Sequence, residues 1–210
     1  MFRKTTLLAG ALALVLIAPQ AHAAAGEWMV NLNGGIATPL GDFKDAAKLG
    51  FMGGVGVDYM ATEAFAVGVD GAFISNKGSD LLNQSLTDIA TLIEGTPTTV
   101  EGKFTMIQGG VHAKYMFPMA AESSIAPYVV GGLGIYNMKS KTESSNSSYV
   151  GDSSESKFGA RGGLGLMFKT SEKVGIGVEG AFHWINTDVS STQFIGIQAG
   201  VSIGMGTPAQ

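Results

Sequence analysis

The sequence predicts an all-β fold, an eight-stranded antiparallel up-and-down barrel that crosses a membrane. Three observations lead to this prediction. Eight segments alternate between apolar and small or polar residues with a period of two, which is typical of strands with two different faces. Short and long connections alternate between these segments, as in outer-membrane barrels. Aromatic residues recur near both ends of several segments, at the spacing of two membrane interfaces.

The composition narrows the classes of protein that fit the chain. Charged residues make up 14% of the sequence, where a soluble domain has about 25%, and 31 of the 210 residues are glycine. The absence of cysteine excludes a disulfide scaffold and thiol chemistry. A net charge of −4 does not indicate the basic surface that nucleic-acid binding requires. Since no segment after residue 23 reaches 18 consecutive apolar residues, membrane-spanning helices are not expected.

The first 23 residues have the pattern of a secretory signal peptide. Arg3 and Lys4 precede an apolar run from Leu7 to Ala18, and Ala21-His22-Ala23 fits a small-x-small cleavage site. The apolar run is well short of the roughly 20 residues that a spanning helix needs. We therefore expect residues 1–23 to be removed and residues 24–210 to form an exported barrel domain.

The third segment illustrates the alternation. Phe65, Val67 and Phe73 share one face, while Gly68 and Asp70 share the other. The predicted strands cover approximately residues 27–37, 51–60, 64–75, 103–117, 125–138, 157–169, 173–185 and 193–205. Because the connections are alternately long and short, an antiparallel meander follows.

The aromatic residues test the membrane placement independently of the alternation. Pairs on one face of a segment are eight to ten residues apart, which gives about 20–25 Å along the membrane normal for tilted strands. This is the height of the apolar band of an outer-membrane barrel. The predicted aromatic girdle consists of Trp28, Phe51, Tyr59, Phe65, Phe73, Tyr128, Tyr136, Phe158, Phe168 and Trp184.

The composition of the polar face decides which face points inward. A soluble barrel or sandwich with an apolar interior needs an outer face dense in Lys, Glu and Thr, whereas the polar face here is mostly Gly, Ala, Asn and Gln. Small residues with a few charges suit the crowded interior of an eight-stranded barrel. The fifth segment departs from the pattern, because an outward Tyr128 and Tyr136 leave Val129, Leu133 and Ile135 facing inward.

Isolated charges on the polar face predict an ion network inside the barrel. Arg161 and Glu179 are the expected ion pair, since a tight turn at residues 170–172 would place Arg161 opposite Ala181 and diagonal to Glu179. Buried charges are tolerated when they are paired, so the network is expected to fill the lumen, and the alternative is a gate that admits ions. Its predicted members are Asp58, Asp70, His112, Lys114, Arg161, Glu179 and His183.

Neither an enzyme nor a cofactor or metal site is predicted. His112 and His183 could each act as a general base, but no G-x-S-x-G nucleophile motif accompanies them, and no ligand spacing for a metal is present. Residues Gly175–Gly180 match G-x-G-x-x-G. A polar turn precedes this motif and an aromatic segment follows it, so the strand and helix that hold a dinucleotide are missing.

Two of the predicted loops carry features of their own. Leu82, Leu86, Ile89 and Ile93 recur at helical spacing, so residues 80–94 predict an amphipathic helix between Ser79 or Asp80 as cap and Gly95 as stop. This helix is expected to pack over the barrel mouth, and contact with a partner or with lipid headgroups is the alternative. The serine-rich segment 139–156 is interpreted as a mobile exposed loop.

Three stretches resemble a known family, the bacterial outer-membrane β-barrel domains, which include small OmpA-, OmpX- and OmpW-like barrels and opacity-type surface antigens. They are Ala37–Phe43, Gly50–Tyr59 and Gly159–Phe168. The resemblance implies a bacterial outer-membrane protein in contact with lipid, with a structural or surface role, a plugged lumen, and recognition of an extracellular ligand through loops 76–102 and 139–156. The alternative that it implies is a narrow OmpW-like pore for small or apolar solutes.

Overall fold

Eight antiparallel strands pair in chain order, and the last strand closes onto the first. The computed structural model describes residues 25–119, 123–145, 151–171, 173–187 and 191–205, so the predicted signal peptide lies outside the described residues. The strands are β1 (Trp28–Leu40), β2 (Gly50–Met60), β3 (Phe65–Lys77), β4 (Val100–Met116), β5 (Ile125–Ser144), β6 (Gly151–Lys169), β7 (Val174–Asn186) and β8 (Ser191–Gly204). The predicted eight-stranded up-and-down barrel is confirmed.

The register of the strands determines how much space the barrel encloses. Following directly paired residues from Asn33 on β1 through β2, β3, β4 and β5 leads to Lys157 on β6. Following them the other way round the barrel, through β8 and β7, leads to Met167 on β6. The strands are therefore staggered by ten residues over one circuit and must tilt by about 40°. An eight-stranded barrel with this tilt has an interior that side chains can fill.

The burial of β7 shows the two faces of a strand and explains the glycine motif. From Gly175 onward, buried and exposed residues alternate without interruption. Gly175, Gly177 and Glu179 face the lumen, whereas Ile176 and Val178 face outward. A Cβ atom on Gly175 would collide with the side chain of Met167, so this glycine makes room inside the barrel. The motif is part of a strand, as predicted.

Two helices stand above one end of the barrel, α1 (Phe43–Ala46) and α2 (Asp80–Glu94). The predicted helix 80–94 is confirmed, with the side chain of Ser79 accepting a hydrogen bond from the Leu82 amide and Gly95 ending the helix in the left-handed conformation. Within the described residues, neither helix is long and apolar enough to cross a membrane.

Helix α2 packs against the first residues of β4. Thr87 accepts a hydrogen bond from the Val100 amide at 2.9 Å, and Ala90 is buried. This packing covers only part of the predicted apolar stripe, because Ile89 and Ile93 remain 52% and 61% exposed. The helix therefore packs on the first residues of β4 and against α1, and presents some of its apolar residues outward.

Strands β4, β5 and β6 are longer than the other strands and end in a three-stranded extension, defined here as residues 100–105, 139–144 and 151–156. The last residues of β3 pair with residues 103–105 at the base of this extension. Val100 pairs with Ser144, and Thr142 pairs with Gly151. The interpretation of 139–156 as a mobile loop is therefore wrong for its described residues, 139–145 and 151–156. Apart from Gly151, these residues are serine, threonine and charged side chains, so the apolar period that predicts strands is absent.

Candidate functional site

Five charged side chains meet in the middle of the lumen in one continuous network. The two ring nitrogens of His112 lie 2.7 Å from Asp58 Oδ1 and 2.7 Å from Asp70 Oδ1. Lys114 Nζ donates to Asp58 Oδ2 at 2.7 Å, and Arg161 Nη2 donates to Asp70 Oδ1 at 2.8 Å. The structure thus brings together five of the seven predicted network members, from strands β2, β3, β4 and β6.

Glycines next to the charged residues make the space for this network. His112 is paired with Gly68 on one side and with Gly132 on the other. A Cβ atom on Gly68 would lie within 2.8 Å of Asp58 Oδ1, Val57 O and His112 Nε2, so any larger residue would disrupt the network. The glycine-rich inner face and the ion network are therefore parts of one arrangement.

The charges in the middle of the lumen balance when His112 is doubly protonated and Glu179 is counted together with the five network members. Both of its ring nitrogens face carboxylate oxygens, which accept hydrogen bonds but cannot donate them. The lumen then holds three cationic groups, Lys114, Arg161 and His112, against the carboxylates of Asp58, Asp70 and Glu179. A neutral arrangement of this kind needs no added ion, which suits a structural filling of the interior.

The predicted pairing of Arg161 with Glu179 is wrong. Arg161 lies opposite His183 rather than Ala181, and Glu179 lies opposite Gly165. The reason is the turn between β6 and β7, which pairs Lys169 with Gly175 and so shifts the register by two residues from the expected one. Glu179 is therefore on the same face as Arg161, but the residue opposite it on β6 is four positions away from Arg161.

Glu179 and His183 have uncharged partners instead. Tyr128 Oη donates to Glu179 Oε2 at 3.0 Å, and Gln198 Nε2 donates to Glu179 Oε1 at 3.0 Å. His183 Nδ1 lies 2.9 Å from Tyr136 Oη, and the His183 ring stacks on Phe194 at 4.3 Å between centroids.

The placement of Tyr128 and Tyr136 in the lipid-facing girdle is also wrong. These side chains are 5% and 1% exposed and point into the lumen, whereas Leu133 and Ile135 are 53% and 60% exposed on the outer face of β5. The two faces of β5 are both largely apolar, so an eight-residue aromatic spacing could not tell them apart. The hydroxyl groups of the two tyrosines were the signal in the sequence that could have indicated a lumen position. A buried tyrosine needs a polar partner, of the kind that Glu179 and His183 provide.

The lumen position of Tyr128 leads to a stability prediction. We expect Tyr128→Phe to lower the free energy of unfolding by about 1.5–3 kcal/mol, since it removes a hydrogen bond to a buried carboxylate. Equilibrium unfolding in urea in lipid vesicles measures the change. Tyr59→Phe, on the outer face at the opposite end of the barrel from the helices, is the matched control and should change little. Equal effects of the two substitutions would contradict the lumen assignment.

The other eight predicted girdle residues lie on the outer face at two levels. Trp28 contacts Tyr59 with 5.0 Å between ring centroids, and Phe51 contacts Phe73 at 6.0 Å. The level nearest the helices contains Phe51, Phe73, Phe158 and Trp184, and the far level contains Trp28, Tyr59, Phe65 and Phe168. The outer face between the two levels is apolar, with exposed residues such as Val55, Val111 and Leu164.

Apolar residues line the lumen above and below the ion network. At the end near the helices, the core contains Ala37, Met52, Ile74, Met106, Tyr136, Ile185 and Phe194, and Phe43 of α1 packs onto it from above. Near the other end, four methionines occupy inward positions, Met29, Met60, Met116 and Met167. Two cavities in the lumen have volumes of about 50 and 30 Å³.

A larger concave surface lies on the outside of the barrel. This groove of about 860 Å³ is lined on its outer face by apolar residues such as Val69, Val111 and Leu133. It belongs to the lipid-facing surface and offers no aqueous site. Within the described residues, no group of three or more His, Asp or Glu side chains is arranged to hold a metal ion.

A closed barrel with a side-chain-filled interior and an apolar outer face bounded by aromatic residues is the architecture of a small outer-membrane protein. The sequence leads to the same class. Residues 7–203 match the model of the family described as "Outer membrane protein beta-barrel domain", and the chain belongs to this family. The protein is therefore located in the bacterial outer membrane.

The chain is similar to solved structures of outer-membrane proteins. Neisserial surface protein A is 15% identical with a TM-score of 0.55, over 84% of this chain and 96% of that one. A major outer membrane protein from Thermus thermophilus is 10% identical with a TM-score of 0.54, over 86% and 100% of the two chains. Ail, the attachment invasion locus protein of Yersinia pestis, is 17% identical with a TM-score of 0.48, over 85% and 99%. No curated protein matches the sequence.

Proposed function

We propose that this protein is a closed, non-catalytic surface barrel that acts through the structure above the membrane, after removal of residues 1–23 on export. The observation that carries the proposal is the filling of the lumen at three successive levels. An apolar cluster containing Tyr136 and Phe194, the ion network around His112, and the inward methionines follow one another along the lumen, and the two cavities beside them are small. This arrangement supports a closed lumen.

The histidines support the non-catalytic part of the proposal. Both ring nitrogens of His112 are held by carboxylates, and the ring of His183 is 2% exposed beneath Phe194. A general base must come within hydrogen-bond reach of a substrate, and neither ring is accessible to one. The residues that do meet the surroundings are those of α2 and the three-stranded extension.

The three-stranded extension and α2 form the part of the molecule suited to recognition. Paired strands hold the extension in a defined shape, and α2 leaves Leu81, Ile89, Leu92 and Ile93 exposed beside it. Surface loops positioned by a rigid scaffold commonly carry the specificity of such proteins. We therefore propose that a ligand outside the cell contacts this region.

Conductance and solute flux test the closed lumen. We expect the purified protein in planar bilayers to give no current above that of the empty bilayer, and proteoliposomes to take up glucose no faster than protein-free liposomes. A general porin measured in parallel shows that both assays detect a channel. Reproducible single-channel steps from the wild-type barrel would contradict this part of the proposal and favour the narrow pore.

Shortening the extension tests the recognition role. Residues 142–151 are replaced by Asn-Gly, which keeps the pairing of Lys141 with Asp152 as the base of a tight hairpin. Bacteria displaying the wild-type chain are compared with bacteria displaying the shortened chain for attachment to immobilised glycans and matrix proteins. We expect attachment to fall to that of bacteria lacking the protein. Equal attachment of the two strains would contradict the proposal.

A further inference from the structure

Lysines form a row on the outer face of three neighbouring strands, just beyond the apolar band. Lys77 on β3 pairs with Lys103 on β4, which pairs with Lys141 on β5, and Lys139 lies diagonal to Lys103 on the same face. All four residues are exposed. Side chains at directly paired positions have Cβ atoms only about 5 Å apart, so like charges there repel one another. We call Lys77, Lys103, Lys139 and Lys141 the lysine row.

The first lysine on each of these strands lies at the same distance from the last apolar residue of that strand. The last strongly exposed apolar residues on the outer faces of these strands are Phe73, Ile107 and Ile135. The first lysine comes four residues further on each strand, with one polar residue between. Four residues are about 13 Å along a strand and about 10 Å along the membrane normal. A lysine stem can bend back over this distance and place its ammonium group among the lipid headgroups.

Acidic residues on the same face lie on the far side of the lysine row from the membrane. Glu101 pairs with Glu143, two residues beyond Lys103 and Lys141. Lys141 Nζ donates to Glu143 Oε1 at 2.9 Å, and this hydrogen bond lowers the pKa of the Glu143 carboxyl. In the described part of the chain, Lys77, Lys103 and Lys139 form no salt bridge. The positive charge therefore faces the membrane and the negative charge faces away from it.

We propose that the lysine row binds the phosphate groups of glycolipid headgroups in the outer leaflet. The chain as a whole carries a net charge of −4, so this concentration of lysines runs against its general composition. A phosphate placed between Lys77 and Lys103 relieves their mutual repulsion and accepts charge-assisted hydrogen bonds from both. A soluble polyanion approaching from outside meets Glu101 and Glu143 first, whereas a lipid phosphate approaches from the basic side.

Binding of lipid A to the protein in non-ionic detergent tests the proposal. Diphosphoryl lipid A and dephosphorylated lipid A are titrated separately, and thermophoresis of the labelled protein measures each affinity. We expect tighter binding of the diphosphoryl form, with an affinity that falls as salt rises. Lys77→Gln and Lys103→Gln together should weaken it by about fivefold for each lysine removed. Lys77→Arg with Lys103→Arg should retain it.

The matched control removes two lysines elsewhere. Lys44→Gln with Lys173→Gln makes the same change in net charge on α1 and on the turn before β7, and should leave lipid A binding unchanged. A heat-dependent shift in gel mobility shows that each variant is folded. Equal affinity for both forms of lipid A, or equal weakening in the control, would overturn the proposal. So would lysine-dependent binding of a soluble heparin fragment as tight as that of lipid A.

Discussion

Asp70→Asn should lower the free energy of unfolding of the barrel by about 3–5 kcal/mol, the cost of breaking a buried ion pair by removing one partner. Asp70 accepts hydrogen bonds from both His112 and Arg161, whose side chains are 2% and 10% exposed. An amide of the same shape leaves the guanidinium without its counter-charge inside the lumen. Urea unfolding in vesicles, followed by the fluorescence of Trp28 and Trp184, measures the loss.

The matched control for this substitution is Asp80→Asn. Asp80 pairs with Lys48 at 2.6 Å, but the two side chains are 88% and 46% exposed. Exposed ion pairs contribute at most about 1 kcal/mol, so the control should change stability little. If Asp70→Asn costs no more than Asp80→Asn, the network around His112 does not stabilise the barrel.

Leu133→Arg should cost about 2–4 kcal/mol of folding stability in lipid vesicles, because it places a charge on the lipid-facing surface of β5 near the middle of the apolar band. Leu133 is 53% exposed and pairs with Val111, which lies midway along the outer face of β4. If Leu133 faced the lumen instead, an arginine at this position could form ion pairs with the carboxylates of the network.

The same substitution above the band provides the comparison. Ser154→Arg lies on the outer face of the extension of β6, where the side chain is exposed beyond the apolar band, and should change the stability by less than about 1 kcal/mol. Both variants are unfolded in urea in vesicles of the same lipid. A cost at Leu133 no larger than that at Ser154 would mean that β5 does not present this face to lipid.

These two predictions separate what local sequence could and could not reveal about the site. The membership of Asp70 and His112 in a lumen network was predictable, since each occupies an inward position in a strand with a clear alternation. Their partners were not, because Arg161 reaches Asp70 across the lumen from a strand that is not its neighbour. Contacts of that kind depend on the stagger of the whole barrel, which no single segment encodes.

The β6–β7 turn and β5 show how small local ambiguities changed the predicted site. A two-residue difference in register moved Glu179 away from Arg161 and gave it Tyr128 and Gln198 as partners. On β5, apolar residues on both faces left the orientation open until the neighbouring strands fixed it. The polar partners that the lumen offers to the hydroxyls of Tyr128 and Tyr136 are consistent with that orientation.

The sequence by itself determined the barrel, the number and order of its strands, helix α2 and the membrane in which the protein lies. These follow from signals that can be found along the chain, namely the period of two, the alternation of long and short connections, the spacing of residues such as Phe65 and Phe73, and a cap such as Ser79. The resemblance to outer-membrane barrels identifies the membrane. The tertiary structure alone decided which lumen charges meet, which face of β5 is inside, and that Lys77, Lys103 and Lys141 stand side by side. Pairing between strands brings distant residues together, and its register is set by turns and by packing around the complete barrel.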